Sequence, residues 1–155
     1  MKILIIDDNA MCVKILVRVL EREIHARQCD DLTIDIASSV EQAKSKCSYI
    51  KYDLIFLDNN MEINVLLEEA HLSAGLFLLQ YIKTKTLNNG TTIISHSDAL
   101  QAEETLRSKY QLSGVTLFLA KPLVIERLKA ILDDLSQPLI TASVPRVSSV
   151  SNISG

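Results

Sequence analysis

The feature that most constrains the fold is a regular alternation of short apolar runs with helical patterns along the chain. The five runs are Ile3–Ile6, Leu32–Ala37, Leu54–Leu57, Thr91–Ser95 and Val115–Ala120. Four of them are nearly continuous in apolar character, which is typical of strands covered on both faces. The second run alternates apolar and polar residues instead, which suits a strand at the edge of a sheet.

Helical patterns fill the intervals between these runs. They are predicted over Met11–Ile24, Val40–Ile50, Leu76–Lys85, Asp98–Tyr110 and Leu123–Leu135. Ser38 or Ser39 can cap the second helix, because a short hydroxyl side chain accepts from a free N–H of the first turn. Strands that alternate with helices in this way predict an α/β domain with a parallel sheet and right-handed crossovers.

Composition excludes several classes of function. A formal net charge of −3 argues against binding to nucleic acid driven by charge. No run of residues approaches the ~18 apolar residues of a membrane span. The cysteines Cys12, Cys29 and Cys47 form no CxxC pair, which fits a reducing compartment. We therefore expect a cytoplasmic protein with no membrane or direct nucleic-acid partner.

The last segment of the chain differs from the rest. From Ser136 to Gly155 it holds six serines, two prolines and a single charge, Arg146. This composition predicts one domain over residues 1–136, followed by a flexible serine-rich tail over 137–155.

Acidic residues follow two of the predicted strands. Asp7 and Asp8 come directly after the first run, and Asp58 comes directly after the third. Ligands of open parallel sheets bind outside the carboxyl ends of the strands, so these carboxylates are expected to converge if the two strands are neighbours. Like charges held so close repel each other, and a divalent cation relieves that repulsion. Mg²⁺ suits such a site because it binds through carboxylates and keeps waters for a phosphate.

Two further polar residues occupy equivalent positions. Ser95 ends the fourth run, and Lys121 follows the fifth. Taken singly, the polar residues at these strand ends have ordinary structural explanations: Asp8 or Asn9 can cap the first helix, Lys-Pro is a common turn, and Ser95 alone indicates nothing. Together, however, they form the inventory of metal-assisted phosphoryl transfer to a carboxylate, and this convergence favours a functional site.

The ordered set of motifs resembles the receiver domain of two-component response regulators. The matching segments are Ile3–Asn9, Asp53–Asp58, Ile93–Ser95 and Phe118–Pro122, and the resemblance runs from Lys2 to about Leu135. It implies a flavodoxin-like, doubly wound (βα)5 fold with strand order 2-1-3-4-5. It also implies a signalling switch rather than an enzyme. Only the tail follows the fifth predicted helix, and it is far too short for a DNA-binding module, so we expect a stand-alone receiver; a linker to a further output domain is the open alternative.

The resemblance assigns the acidic residues. Asp58 looks like the phosphoacceptor, with a histidine kinase or histidine phosphotransfer protein as the donor. Asp7 and Asp8 look like the acidic pair that holds Mg²⁺, with Asp58 and the backbone carbonyl of Asn60 as further ligands.

The resemblance also assigns the residues that read the phosphoryl group. Ser95 looks like the hydroxyl residue that turns towards it, and Lys121 looks like the lysine that pairs with one of its oxygens. Phe118 stands at the position of the family's switch aromatic. Its movement would reshape the surface of the fourth helix and fifth strand for an unidentified protein target. That surface also pairs receivers with one another, so a homodimer is an open alternative.

The loop after Asp58 departs from the family pattern. Glu62 stands where the family usually has proline, and the matching glycine is Gly75, seventeen residues after Asp58 rather than eight. About nine residues are therefore inserted, which is long for such a loop. The acidic, leucine-bearing segment Glu62–Ala74 is expected to add a helical turn or two. It either shields the phosphoryl site, contacts a kinase, packs in a dimer or is a tolerated surface insertion.

His96 is the second departure, because the family prefers a small residue after the hydroxyl position. Its imidazole either restricts access to the phosphoryl site or points away from it. His25 and His71 lack zinc-ligand spacing with His96 or with any cysteine, so no zinc site is expected.

Three alternatives to a phosphorylated receiver are considered. A pseudo-receiver that binds partners without phosphorylation is supported by the insertion and by His96, but the intact acids, Ser95 and Lys121 count against it. A metal-dependent phosphohydrolase of the haloacid-dehalogenase type is disfavoured, because Asp58-Asn59-Asn60 lacks the second acid of Asp-x-Asp. A flavin binder is also disfavoured, since Asp7 and Asp8 would repel the cofactor's phosphate.

Overall fold

A computed structural model describes residues 1–61, 73–98, 104–115 and 117–136. Within the third range, only the backbone of residues 105 and 106 is described. Most of the predicted insertion, residues 62–72, and the predicted tail, residues 137–155, lie outside the described residues. The last residue of the predicted insertion, Ala74, is already the first residue of a helix. Across the described ranges, no helix is both long enough and apolar enough to span a bilayer.

Within these ranges the chain builds a parallel sheet of five strands in the order β2-β1-β3-β4-β5. The strands are β1 (Lys2–Ile6), β2 (Thr33–Ala37), β3 (Leu54–Leu57), β4 (Thr92–Ser97) and β5 (Leu117–Ala120). This confirms the predicted fold class and strand order. It also confirms that the alternating second run is an edge strand.

Five helices are described between and after these strands: α1 (Ala10–Ala26), α2 (Val40–Tyr49), α3 (Ala74–Lys85), α4 (Glu104–Leu112) and α5 (Ile125–Ser136). Short polar side chains begin the first three. Asn9 caps α1 by accepting from two backbone N–H groups, Ser39 caps α2 and Ser73 caps α3. Because Asn9 supplies the α1 cap, neither aspartate before it is needed for that role.

Helices cover both faces of the sheet. Side chains of α1 and α5 pack with Ile3 and Ile5 on one face, while those of α2, α3 and α4 pack with Leu4 and Ile6 on the other. Successive strand residues point to opposite faces, so continuous apolar runs were required to fill both cores. We call these the α1–α5 face and the α2–α4 face.

The predicted boundaries of three elements, β4, α4 and β5, were wrong. Strand β4 continues through Ser97, because Ser97 still pairs with Ala120 of β5. Asp98, predicted to begin the fourth helix, is a bend after that strand. The polar sequence Ser95 to Ser97 carries no apolar signal, and pairing with β5 is what keeps it extended. Val115, predicted to begin the fifth strand, precedes β5.

Candidate functional site

Three carboxylates meet at the carboxyl edge of the sheet. Asp7 follows β1 and Asp58 follows β3, and these strands are hydrogen-bonded neighbours. One oxygen each from Asp7, Asp8 and Asp58 lies within 4.8 Å of the others. Asp7 and Asp58 are only 3% and 4% exposed, whereas Asp8 is exposed. The structure therefore brings together the three acids that the sequence predicted to converge.

Lys121 bridges the two buried acids. It follows β5, which is not adjacent to either acid's strand, so its long side chain spans the intervening distance. Its Nζ lies 2.8 Å from Asp7 Oδ2 and 3.0 Å from Asp58 Oδ2. One ammonium thus partly neutralises two carboxylates that would otherwise face each other in a desolvated pocket.

The cluster of acids around Lys121 is short of positive charge. Burial raises the pKa of the Asp7 carboxyl, and the charge of Asp58 adds to the rise, although Lys121 and the backbone N–H of Asn9 oppose it. Burial lowers the pKa of Lys121, but its hydrogen bonds to Asp7 and Asp58 outweigh that effect, so the net shift is upwards. Clustered carboxylate oxygens are the hard ligands that Mg²⁺ takes, so the residues present fit that ion.

An open cleft of about 490 Å³ is lined by Asp8, Asp58 and Lys121, with Asn60 on its border. The backbone N–H of Asn60 donates to Asp58 Oδ1 at 3.1 Å, and its side-chain amide donates to Asp98 Oδ1 at 2.7 Å. One water occupies about 30 Å³, so the cleft has room for many groups of that size. An ion with its waters and a phosphoryl group therefore fit beside Asp58.

Ser95 and Phe118 are cross-strand neighbours on the α2–α4 face. Ser95 also pairs with Leu57, the residue before Asp58. It is fully buried, and its hydroxyl forms no hydrogen bond to any described residue, Asp58 included. Phe118 is partly buried against the core, and the guanidinium of Arg107 lies 4.7 Å from its ring centre. The predicted hydroxyl and aromatic residues are thus adjacent, but Ser95 is not hydrogen-bonded to the acidic cluster.

Comparison with known proteins decides the family. Residues 3–133 match the response regulator receiver domain. The chain belongs to this family. No curated protein sequence matches this receiver.

Solved structures similar to this receiver share its fold at low identity. A chemotaxis protein CheY4 from Vibrio cholerae is 18% identical with a TM-score of 0.67, and the alignment covers 86% of this chain and 97% of that one. A two-component response regulator from Clostridium difficile is 27% identical with a TM-score of 0.63, covering 86% and 93%. A response regulator from Burkholderia pseudomallei, solved with a phosphorylated aspartic acid and a calcium ion, is 22% identical with a TM-score of 0.61, covering 88% and 66%.

His96 lies on the opposite face of β4 from Ser95, because successive strand residues alternate. Its partner Leu119 belongs to the core of the α1–α5 face. Burial lowers the pKa of His96 to about 4, with the charge of Lys121 adding to the drop and that of Asp58 opposing it. Its Nε2 forms no hydrogen bond to any described residue. This receiver therefore carries a neutral, buried imidazole close to its acidic cluster.

The sequence did not single out a polar group directly behind the phosphoacceptor position. Asn59 is only 4% exposed, and its Oδ1 accepts from Ser73 and from Tyr110. The one available signal was a polar residue that follows Asp58 at the end of a buried strand. Nothing in the sequence connects it with Tyr110, 51 residues away.

Proposed function

We propose that this receiver accepts a phosphoryl group on Asp58 from a histidine kinase or a histidine phosphotransfer protein. The observation that carries the proposal is the paired arrangement of Asp7 and Asp58 around Lys121, with Asp58 on the border of an open cleft. Burying two acids with one shared cation destabilises the fold, and apolar residues would fill the same space without that loss. The arrangement therefore points to a function rather than to packing.

In the transfer, an Asp58 carboxylate oxygen bonds to phosphorus while the phosphorus–nitrogen bond of the donor's phosphohistidine breaks. The electron pair of that bond stays on the donor imidazole, which takes a proton from solvent. Asp7, Asp8, Asp58 and the backbone carbonyl of Asn60 would hold Mg²⁺, and the ion would supply positive charge to the phosphoryl oxygens. Lys121, already within reach of Asp58, would pair with one of those oxygens.

The output follows from the unsatisfied hydroxyl of Ser95. A phosphoryl oxygen on Asp58 supplies an acceptor, and a buried hydroxyl that gains a partner is stabilised. Phe118, the cross-strand neighbour of Ser95, then moves, and its contact with Arg107 changes. The altered surface of α4 and β5 is what a protein target would recognise.

The test is an intact mass after incubation with Mg²⁺ and acetyl phosphate. Wild type is expected to gain one phosphoryl adduct, and Asp58→Asn to gain none. Asp53→Asn is the matched control, because Asp53 is exposed and lies at the other end of β3. An adduct in Asp58→Asn would reject Asp58 as the acceptor.

A pseudo-receiver is the second candidate, and His96 favours it: its buried imidazole directly follows Ser95 and lies near enough to Lys121 and Asp58 for their charges to affect its pKa. Beryllofluoride, a phosphoryl mimic, separates the two. If wild type takes no adduct and its hydrogen exchange is unchanged by beryllofluoride, this receiver binds partners without phosphorylation.

The wider proposal is a signalling protein in the cytoplasm, rather than an enzyme, in which a receiver domain over residues 1–136 is followed by a tail over 137–155. Its partners would be a phosphodonor protein and a protein target, with no membrane and no direct nucleic acid; the net charge of −3 supports the last point. Size-exclusion chromatography with and without beryllofluoride decides whether a homodimer forms through α4 and β5.

A further inference from the structure

Three side chains from separate parts of the chain form a buried polar group behind the phosphoacceptor. Asn59 follows β3, Ser73 begins α3 and Tyr110 lies in α4. Asn59 Oδ1 accepts from Ser73 Oγ at 2.5 Å and from the Tyr110 hydroxyl, and the two hydroxyls lie 3.3 Å apart. Tyr110 is fully buried and Asn59 nearly so. We call these residues the asparagine trio.

The packing around the trio leaves no slack. A methyl group at Gly75 would lie 2.7 Å from Asn59 Cα and 2.8 Å from the carbonyl oxygen of Asp58, and would collide with the Tyr110 hydroxyl. No real side chain tolerates such distances. The start of α3, the end of β3 and α4 are therefore in direct contact at the backbone of the phosphoacceptor.

We propose that Tyr110 is a positioning residue for the Asp58 site, acting through Asn59 to fix the backbone from Asp58 to Asn60. The inference rests on the proposed function and adds a regulator of the same site. It also gives α4 a second connection to Asp58, independent of Ser95 and Phe118.

The geometry gives the route. Asn59 is the residue between Asp58 and Asn60 in the chain. The Asn60 N–H donates to Asp58 Oδ1 at 3.1 Å. When Tyr110 anchors the side chain of Asn59, it limits the directions in which the Asn60 carbonyl, a proposed Mg²⁺ ligand, can point. Burial raises the pKa of Tyr110 well above its ordinary value, so its hydroxyl stays a donor at any physiological pH.

The connection works in both directions. If the position of α4 alters the affinity of the site for Mg²⁺, then Mg²⁺ and the phosphoryl group must alter the position of α4 by the same free energy. A protein that holds α4 would in this way tune the phosphorylation of Asp58.

Tyr110→Phe tests the inference, because it removes the hydroxyl and keeps the ring. Tyr52→Phe is the matched control: Tyr52 is also buried in the core of the α2–α4 face, and its hydroxyl donates to Asp35 at 2.7 Å. The half-saturating Mg²⁺ concentration is measured twice in the full chain, from the rise in melting temperature and from the rate of phosphorylation by acetyl phosphate.

We expect Tyr110→Phe to raise the half-saturating Mg²⁺ concentration about 2- to 10-fold in both measurements, as for the loss of one hydrogen bond. The rate at saturating Mg²⁺ should change less. Tyr52→Phe should lower the melting temperature without moving the half-saturation. Equal Mg²⁺ dependence in the two variants would overturn the inference.

Asn59→Ala tests the route. Once Asn59 is gone, adding Tyr110→Phe should not raise the half-saturating Mg²⁺ concentration further, and additive effects would reject transmission through Asn59. If Tyr110→Phe does not fold, Asn59→Ala against Tyr52→Phe carries the same comparison. A wild type that binds Mg²⁺ but takes no phosphoryl group would reject the proposed function, and the melting curves would still decide the role of Tyr110.

Discussion

The two ends of the sheet treat buried polar groups in opposite ways. At the amino end, Asn88 is fully buried and all four of its hydrogen-bonding positions are used: it accepts from Tyr52 N–H and Thr91 Oγ1 and donates to the carbonyls of Cys47 and Ile50. At the carboxyl end, Asp7 and Asp58 share one lysine. Ser95 and His96 are also buried at this end, and the Oγ of Ser95 and the Nε2 of His96 have no hydrogen-bond partner among the described residues.

The difference separates stability from function. A fully paired polar network fixes one arrangement, because any movement breaks several hydrogen bonds at once. Unpaired donors and crowded like charges keep free energy available for an incoming ligand to release. We therefore call these regions the satisfied end and the acidic end.

The largest effect is expected at the satisfied end. Asn88→Ala leaves several buried backbone groups without partners and should lower the unfolding free energy by about 3–5 kcal/mol. Urea denaturation measures the loss. The neighbouring Asn89 is exposed, so Asn89→Ala should stay within about 0.5 kcal/mol of wild type. A loss in Asn88→Ala no larger than this control would break the contrast from its stable side.

At the acidic end, His96 should make stability depend on pH. Unfolded, its pKa is near 6.5, whereas burial lowers the pKa to about 4 in the folded state. As pH falls from 6.5 towards 4, the unfolded chain takes up a proton that the folded chain refuses, so folding loses up to about 3 kcal/mol.

His96→Gln should remove this acid-side loss in urea titrations at pH 7.5, 5.5 and 4.5. His25→Gln is the control, because the side chain of His25 is 85% exposed. The raised pKa of Asp7 has the opposite effect, because it makes the folded state more stable as the pH falls. All three proteins keep Asp7, so the differences between their pH slopes isolate His96. The same pH slope in wild type and His96→Gln would contradict the prediction.

Mg²⁺ should stabilise the acidic end. At ten times its dissociation constant, a bound ion adds about 1.4 kcal/mol to the unfolding free energy. Wild type should show the corresponding rise in melting temperature, and Asp8→Asn should show a smaller one. Asp134→Asn changes the same charge on the exposed surface of α5 and should behave as wild type. An equal rise in both variants would mean that Mg²⁺ binds elsewhere.

The smallest effect concerns Arg107, whose guanidinium lies over the ring of Phe118. Arg107→Gln should cost about 0.5 kcal/mol, the typical size of an exposed cation–π contact. Arg107 and Phe118 line a surface groove that Arg127 also lines, so Arg127→Gln makes the same charge change there. Thermal unfolding of the two variants should show the larger loss in Arg107→Gln, and the reverse order would assign the groove's stability to Arg127.

The sequence predicted the acidic end better than the satisfied end, for a physical reason. Strand ends are visible as the points where apolar runs stop, so Asp7, Asp58 and Lys121 were found from position alone. Asn88 lies in a turn, and its partners are more than 30 residues away in three of its four contacts. Such contacts leave no periodic signal, because they depend on how the elements pack.

The same limit explains the errors within the site. The extension of β4 through Ser97 is decided by pairing with β5, not by the local sequence. The asparagine trio was missed because Tyr110 looks like any aromatic residue on the buried side of a helix. Only the packed structure shows that its hydroxyl lies behind Asp58.

The residue at the position of Gly75 is informative when receivers are compared with one another. Its missing side chain is what lets α3 start directly against the carbonyl of Asp58. In a receiver with a larger residue at this place, the start of the third helix, the end of the third strand or the tyrosine of the fourth helix would have to shift to make room. That single residue therefore predicts whether a relative packs these three elements as closely as this chain does.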